Sequence, residues 1–218
     1  MRLRSVFSLL AVSLFSIALL FCLVACNSEP AKPATTASAA VPEKKVAEPL
    51  LGKSCLQRMS DSALRWQPDA LPYHMESEWN EEATGQDGKA TVWHARFVSM
   101  AMSKVKTFHC SGSQLKDSPA FGVTSDREVA FAPGTTFMSF LPSVITIDTD
   151  KIYEESLQHG GADMLKKDPK QPVTYELAYE PKYQKVLWLA AFGKTQKDSK
   201  GIAVFDASQG KYMGAFKR

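Results

Sequence analysis

Val186-Leu187-Trp188-Leu189-Ala190-Ala191-Phe192-Gly193 is the stretch on which the fold turns. As a strand it puts Trp188, Ala190 and Phe192 on one face. The same Trp-x-Ala-x-Phe spacing lies inside Ala90-Thr91-Val92-Trp93-His94-Ala95-Arg96-Phe97-Val98. There Trp93, Ala95 and Phe97 share a face, while His94, Arg96 and Val98 point the other way. Asp87-Gly88, just upstream, is a hairpin turn signal.

Each tryptophan strand has matching neighbours. A strand over 105–112 follows the first. Around the second, 173–179 alternates cleanly before it, 201–210 follows it, and 211–216 returns as a last strand. Phe108 stands 15 residues after Trp93, and Phe205 17 residues after Trp188. Each half also opens with a helical segment. Ser60, Asp61 and Ser62 can cap a short helix through Trp66, stopped by Pro68. Asp148, Thr149 or Asp150 can cap a helix through about His159, with Gly160-Gly161 as its left-handed stop and a further turn over 162–167. The expected fold is α+β: two similar units, each a short helix packed on an antiparallel sheet. The matching order implies a duplication. The units span 51–140, including a connecting segment, and 141–218. Within that connection, Ser113 to Leu141 carries Phe121, Phe131, Phe137 and Phe140. It is too apolar for a free linker and is expected to pack across both units.

A helix on a small antiparallel sheet, with a tryptophan strand and a closing Val-x-Asp-Ala-x-x-Gly strand, resembles the PepSY family and its cystatin-like relatives. The closing pattern here is Val204-Phe205-Asp206-Ala207-Ser208-Gln209-Gly210. The resemblance is clearest over 145–218. It weakens over 55–112, where Cys110 replaces the closing alanine and Gly112 comes early. It implies binding rather than chemistry.

The amino terminus gives an address. Arg2 and Arg4 precede an uncharged run from Ser5 to Ala25, which fits a secretory signal. A transmembrane helix of about 20 apolar residues is the alternative. Leu23-Val24-Ala25-Cys26 resembles a bacterial lipobox, with an aliphatic residue three before the cysteine and a small one just before it. The resemblance implies a signal peptide over 1–25, acyl chains on Cys26, and an envelope protein held at the membrane on its extracytoplasmic side. Several chains anchor stably, at about 0.8 kcal/mol per buried CH₂. Asn27, rather than an aspartate, favours the outer membrane if the cell is Gram-negative. Residues 26–50 hold four prolines and no aromatic residue, which marks a disordered tether. Such a coil spans roughly 25–30 Å.

Without Arg2 and Arg4, 24 basic residues face 23 acidic ones. That balance argues against a nucleic-acid partner, which needs clustered positive charge. Cys55 and Cys110 are the remaining cysteines of the folded part. In an oxidising compartment they most simply form a disulfide; two free buried thiols are the alternative.

Nucleophile-elbow, phosphate-loop, dinucleotide and His-Glu-x-x-His patterns do not occur. His74, Glu76 and Glu78 would share a strand face and could hold a metal, although a solvated face is the commoner outcome. His109 and Cys110, as strand neighbours, point apart and cannot pair as base and thiol. His159 reads as a helix C-terminal residue. We expect no catalytic site, no cofactor and no metal. The expected function is a lipid-anchored module binding a protein, peptide or cell-wall component. An open sheet face, with His94, Arg96 and Val98 as candidates, or a strand edge would bind it. Carriage of a small apolar ligand between helix and sheet is the alternative.

Overall fold

The computed structural model describes residues 46–216. The lipobox, Cys26 and the tether up to residue 45 lie outside them. Eleven strands and three helices alternate as follows: β1 (Leu50–Leu51), α1 (Gly52–Trp66), β2 (Leu71–Glu78), β3 (Lys89–Ala90), β4 (Val92–Ser99), β5 (Lys104–Ser111), β6 (Gly122–Ser125) and β7 (Val129–Ala130), then α2 (Thr149–Ser156), α3 (Ala162–Lys167), β8 (Thr174–Glu180), β9 (Lys185–Ala191), β10 (Ile202–Asp206) and β11 (Tyr212–Phe216). The architecture is α+β. One nine-stranded antiparallel sheet runs β11-β10-β9-β8-β2-β4-β5-β6, with β7 also paired to β5. The two halves therefore meet at the β2–β8 pairing, in mid-sheet, where Glu76 faces Glu176.

The alternation read from the sequence holds along these strands. Trp93, Ala95, Phe97, Trp188, Ala190 and Phe192 are all fully buried on the helix side. Burying one tryptophan removes roughly 150–250 Å² from water, or about 4–6 kcal/mol before entropy is charged against it. The two indoles meet edge to face, 6.3 Å apart. Tyr175 joins them, and its hydroxyl donates to Gly85 O at 2.6 Å. Burial, reinforced by Tyr153 and Asp87, pushes that hydroxyl well above its ordinary pKa. It stays a neutral donor.

The register corrects one alignment. Cys110 lies opposite Trp93, and Phe205 lies opposite Trp188. Cys110, not Phe108, is the counterpart of Phe205. Cys55 on α1 is bonded to Cys110, which pins that helix to β5.

Helix α1 starts eight residues before the expected cap. Ser60 is inside it, and its hydroxyl bonds back to Leu56 O. Leu51, its cap residue, offers no side-chain bond. The caps come from the other half of the chain. Lys53 N–H donates to Asp148 Oδ1 at 2.8 Å, and Gly52 N–H to Thr149 Oγ1 at 3.0 Å. Asp148 Oδ1 also accepts from Thr149 N–H at 2.7 Å, which caps α2. Two helix N-termini thus share one carboxylate. Helix α2 ends at Ser156, short of His159. A wide turn with positive φ at Gly160 then leads into α3. His159 stacks on Tyr212, 3.6 Å between centroids.

Asp87-Gly88 does form a turn, but not a two-residue hairpin. β2 and β4 are joined by a longer loop that includes β3. Gly88 has φ +80°, and a Cβ there would sit 2.3 Å from Asp150 N. The end of the tether is also ordered: Glu48 N–H donates to Gly112 O at 2.8 Å, and β1 pairs with β3. The connecting segment supplies β6 and β7 to the sheet edge. Phe137 packs on Tyr73 and Phe131, and Phe140 is buried between the halves, beside Tyr179 and Val186.

Candidate functional site

Because α1 packs on β2, β4 and β5 and α2 packs on β9, the sheet has one covered face and one opposite face. On that opposite face β9 and β10 carry Leu187, Ala191, Ile202 and Val204, a small buried cluster with Tyr183, Leu189 and Met213. Strands β2, β4, β5 and β8 carry His74, Glu76, Glu78, His94, Arg96, His109 and Glu176 instead. The strand period of two puts all of these on one side.

These groups form a row of ion pairs and hydrogen bonds. His74 Nε2 lies 3.0 Å from Glu176 Oε1. Arg96 reaches Glu76 at 3.5 Å. His94 Nε2 lies 2.6 Å from Glu78 Oε2, and His109 Nε2 lies 2.9 Å from Asp126 Oδ1. Between the two imidazoles the Nδ1 atoms are 2.7 Å apart. Glu76 and Glu176 stand directly opposite each other, which is unfavourable for like charges. Arg96, paired with Glu76, offsets it, and His74 bonds Glu176.

An open groove of about 740 Å³ crosses this face over β2, β4 and β8. Glu76, Glu78, Glu176 and His94 line its floor, with Trp79 and the 194–198 loop at its rim. Lys194 Nζ sits 4.0 Å from the Trp79 ring centroid, a cation–π contact. The groove joins acidic groups, one stacked aromatic and two ammonium groups, Lys194 and Lys197. That set offers carboxylate acceptors, an aromatic face and ammonium donors to a ligand.

The residues singled out from sequence fall as follows. His94 and Arg96 lie on this face and partly exposed. Val98 is buried and unavailable. His74, Glu76 and Glu78 do share a face, but each turns to a different partner, and among the described residues no three ligand-type side chains converge on one point. Cys110 is consumed by the disulfide. Glu176, Trp79, Lys194, His109 and Asp126 were not expected at the site. Alternation puts His94 on the face opposite Trp93 and His109 on the face opposite Cys110, but that the two are neighbours follows only from the β4–β5 register.

The closing pattern has a structural explanation. Asp206 Oδ1 accepts from Ser208 N–H at 2.8 Å and from its hydroxyl at 2.6 Å, and Lys185 pairs with the other oxygen. Burial pushes the Asp206 carboxyl up, but the bonds from Lys185 and Ser208 outweigh it and hold the carboxyl below its ordinary pKa.

The fold is thus that of an α+β protein with a helix-free, polar sheet face. No protein-family description matches the chain, and no curated protein does. Among solved structures it is similar to a candidate lipoprotein of Clostridium difficile 630, at TM-score 0.52 and 11% identity. The match covers 80% of this chain and 94% of that one. Among the described residues no helix is long and apolar enough to cross a membrane.

Proposed function

We propose that this is a lipid-anchored envelope protein, acylated at Cys26, that binds a protein, peptide or cell-wall component in the open groove without catalysing a reaction on it. The groove carries the reading: it is wide, solvent-facing and lined by convergent polar groups on the face that the helices leave free. The alternative, an apolar ligand held between helix and sheet, has less support. Trp93, Trp188, Tyr175 and Phe205, all buried, fill that space. The leader supports the address, as does the likeness to a candidate lipoprotein. The outer membrane is the favoured site in a Gram-negative cell.

We also read the domain as two PepSY-like units. Support comes from positions 95 apart. Trp93 and Trp188 each donate Nε1–H to the carbonyl two residues before a helix, Leu50 O at 2.9 Å and Ile147 O at 3.0 Å. Gly112 N–H donates to Thr91 O at 2.7 Å as Ala207 N–H donates to Val186 O at 3.0 Å. Gly112 therefore occupies the place of the closing alanine.

A photo-crosslinking residue at Thr195, on the exposed groove rim, should give a discrete adduct in the intact envelope. The same residue at Lys151, on exposed α2, should not. No adduct from Thr195, or the same adducts from both, refutes groove binding. Labelled fatty acid on a Cys26→Ser variant refutes the anchor.

A further inference from the structure

We propose that His94 and His109 form a two-imidazole site for a divalent transition-metal cation of the zinc, nickel and copper class, with Glu78 and Asp126 as the carboxylates that orient the rings. The site goes beyond groove binding and does not depend on it.

His94 on β4 and His109 on β5 are directly opposed, on the side away from the helices. Their ring planes stand at 83°, and the two Nδ1 atoms approach to 2.7 Å. Both outer nitrogens are already committed, Nε2 of His94 to Glu78 and Nε2 of His109 to Asp126. Neither carboxylate can donate once ionised, so each Nε2 carries the proton. The two Nδ1 atoms are then left facing each other at 2.7 Å. A proton satisfies that contact, and so does a cation.

Imidazole nitrogens bind zinc at about 2.0–2.1 Å, so two of them around one tetrahedral ion lie roughly 3.3 Å apart. From the 2.7 Å contact the rings must open by about 0.6 Å and turn until both lone pairs converge on the ion. A metal-ligating histidine characteristically donates its other ring N–H to a carboxylate. Here both rings do. Imidazole selects zinc, copper and nickel over calcium and magnesium. Glu76 and Glu176 add negative charge nearby, against Arg96. The imidazoles are 21% and 13% exposed, so solvent can complete the coordination. Metal and proton compete for the same Nδ1 atoms, so binding weakens as pH falls.

The fold itself does not ask for this pair. The corresponding cross-strand pair in the second half is Leu189 opposite Val204.

The test uses the untagged full chain in detergent micelles with chelator-washed buffer. Zn²⁺ should bind saturably, one per chain, and less tightly at lower pH. Long-range ¹H–¹⁵N spectra should show the Nδ1 signals of His94 and His109 shifting, with both Nε2 atoms still protonated. His94→Leu with His109→Val, the residues of the matched pair, should abolish binding. Glu78→Gln should weaken it about 10–100-fold. An excess of Ca²⁺ or Mg²⁺ should not compete. Absence of saturable binding overturns the proposal. So do shifts confined to His74 or His159, which are read on the unmodified protein, and binding that survives the double substitution.

Discussion

Replacing Asp148 by alanine should loosen two helices at once. Its Oδ1 accepts the Lys53 N–H at 2.8 Å and the Thr149 N–H at 2.7 Å, in the first turns of α1 and α2. Loss of one N-cap costs about 0.5–2 kcal/mol. Two caps lost together should cost about 1–4 kcal/mol. Asp148→Asn keeps an acceptor oxygen and removes the charge. A charge near one helix N-terminus is worth about 0.3–1 kcal/mol at low salt. The asparagine variant should therefore lose about 0.6–2 kcal/mol, and salt should shrink that loss.

Urea unfolding with the disulfide intact, followed by tryptophan fluorescence, measures both costs. Amide exchange then locates them. In Asp148→Ala the Lys53 and Thr149 amides should exchange faster together, although they are far apart in sequence. Faster exchange at Thr149 alone would mean that Asp148 caps only its own helix. A total cost below about 0.5 kcal/mol would refute the shared cap altogether.

Three other outcomes are expected. Gly52→Ala should destabilise by about 1–3 kcal/mol in the same assay, because its Cβ would meet Trp188, Thr149 and Trp93 side-chain atoms at 2.8–3.0 Å. Reducing Cys55–Cys110, which closes a loop of 55 residues, should cost about 4 kcal/mol in the chain-entropy view, read as the shift of the urea midpoint with reductant. Asp206 has its folded pKa held below the ordinary value near 3.9, so its contribution is present above about pH 4 and is lost as pH falls through the folded pKa. Asp206→Asn should accordingly flatten the acid limb of the stability–pH curve.

The strands were legible because alternation is a local property. Trp93, Ala95 and Phe97 announce their face within five residues. The start of α1 was not legible, because its caps lie at Asp148 and Thr149 and nothing near Gly52 signals a terminus. Ser60, Asp61 and Ser62 offered a local cap that the chain does not use. The docking of Glu48 and Leu50 was hidden for a similar reason: β1 is two residues long, and it pairs with β3 some forty residues on. Of the site, the face was readable and the pairings were not. His94 and Arg96 were placed correctly. That His94 meets His109, and that Glu176 meets His74, depends on register between strands, which no single strand encodes.

Register also separates what the fold requires from what it merely tolerates. On the helix face, positions 95 apart hold Trp93 and Trp188, Ala95 and Ala190, Phe97 and Phe192. Both indoles must fit beneath two helix N-termini, so the choice there is narrow. On the opposite face the matched positions hold His94 and Leu189, Arg96 and Ala191, Thr107 and Ile202, His109 and Val204. The same cross-strand pairings hold either set. The apolar set folds by burying itself beside Tyr183 and Met213. The polar set gains little from folding, since half-exposed ion pairs contribute about 0–1 kcal/mol each. It also brings two opposed glutamates and two facing imidazoles that the packing does not need. Under the proposed groove binding, groups that cost stability where a leucine or valine would serve belong to the ligand site, and β2, β4, β5 and β8 are the strands that carry it.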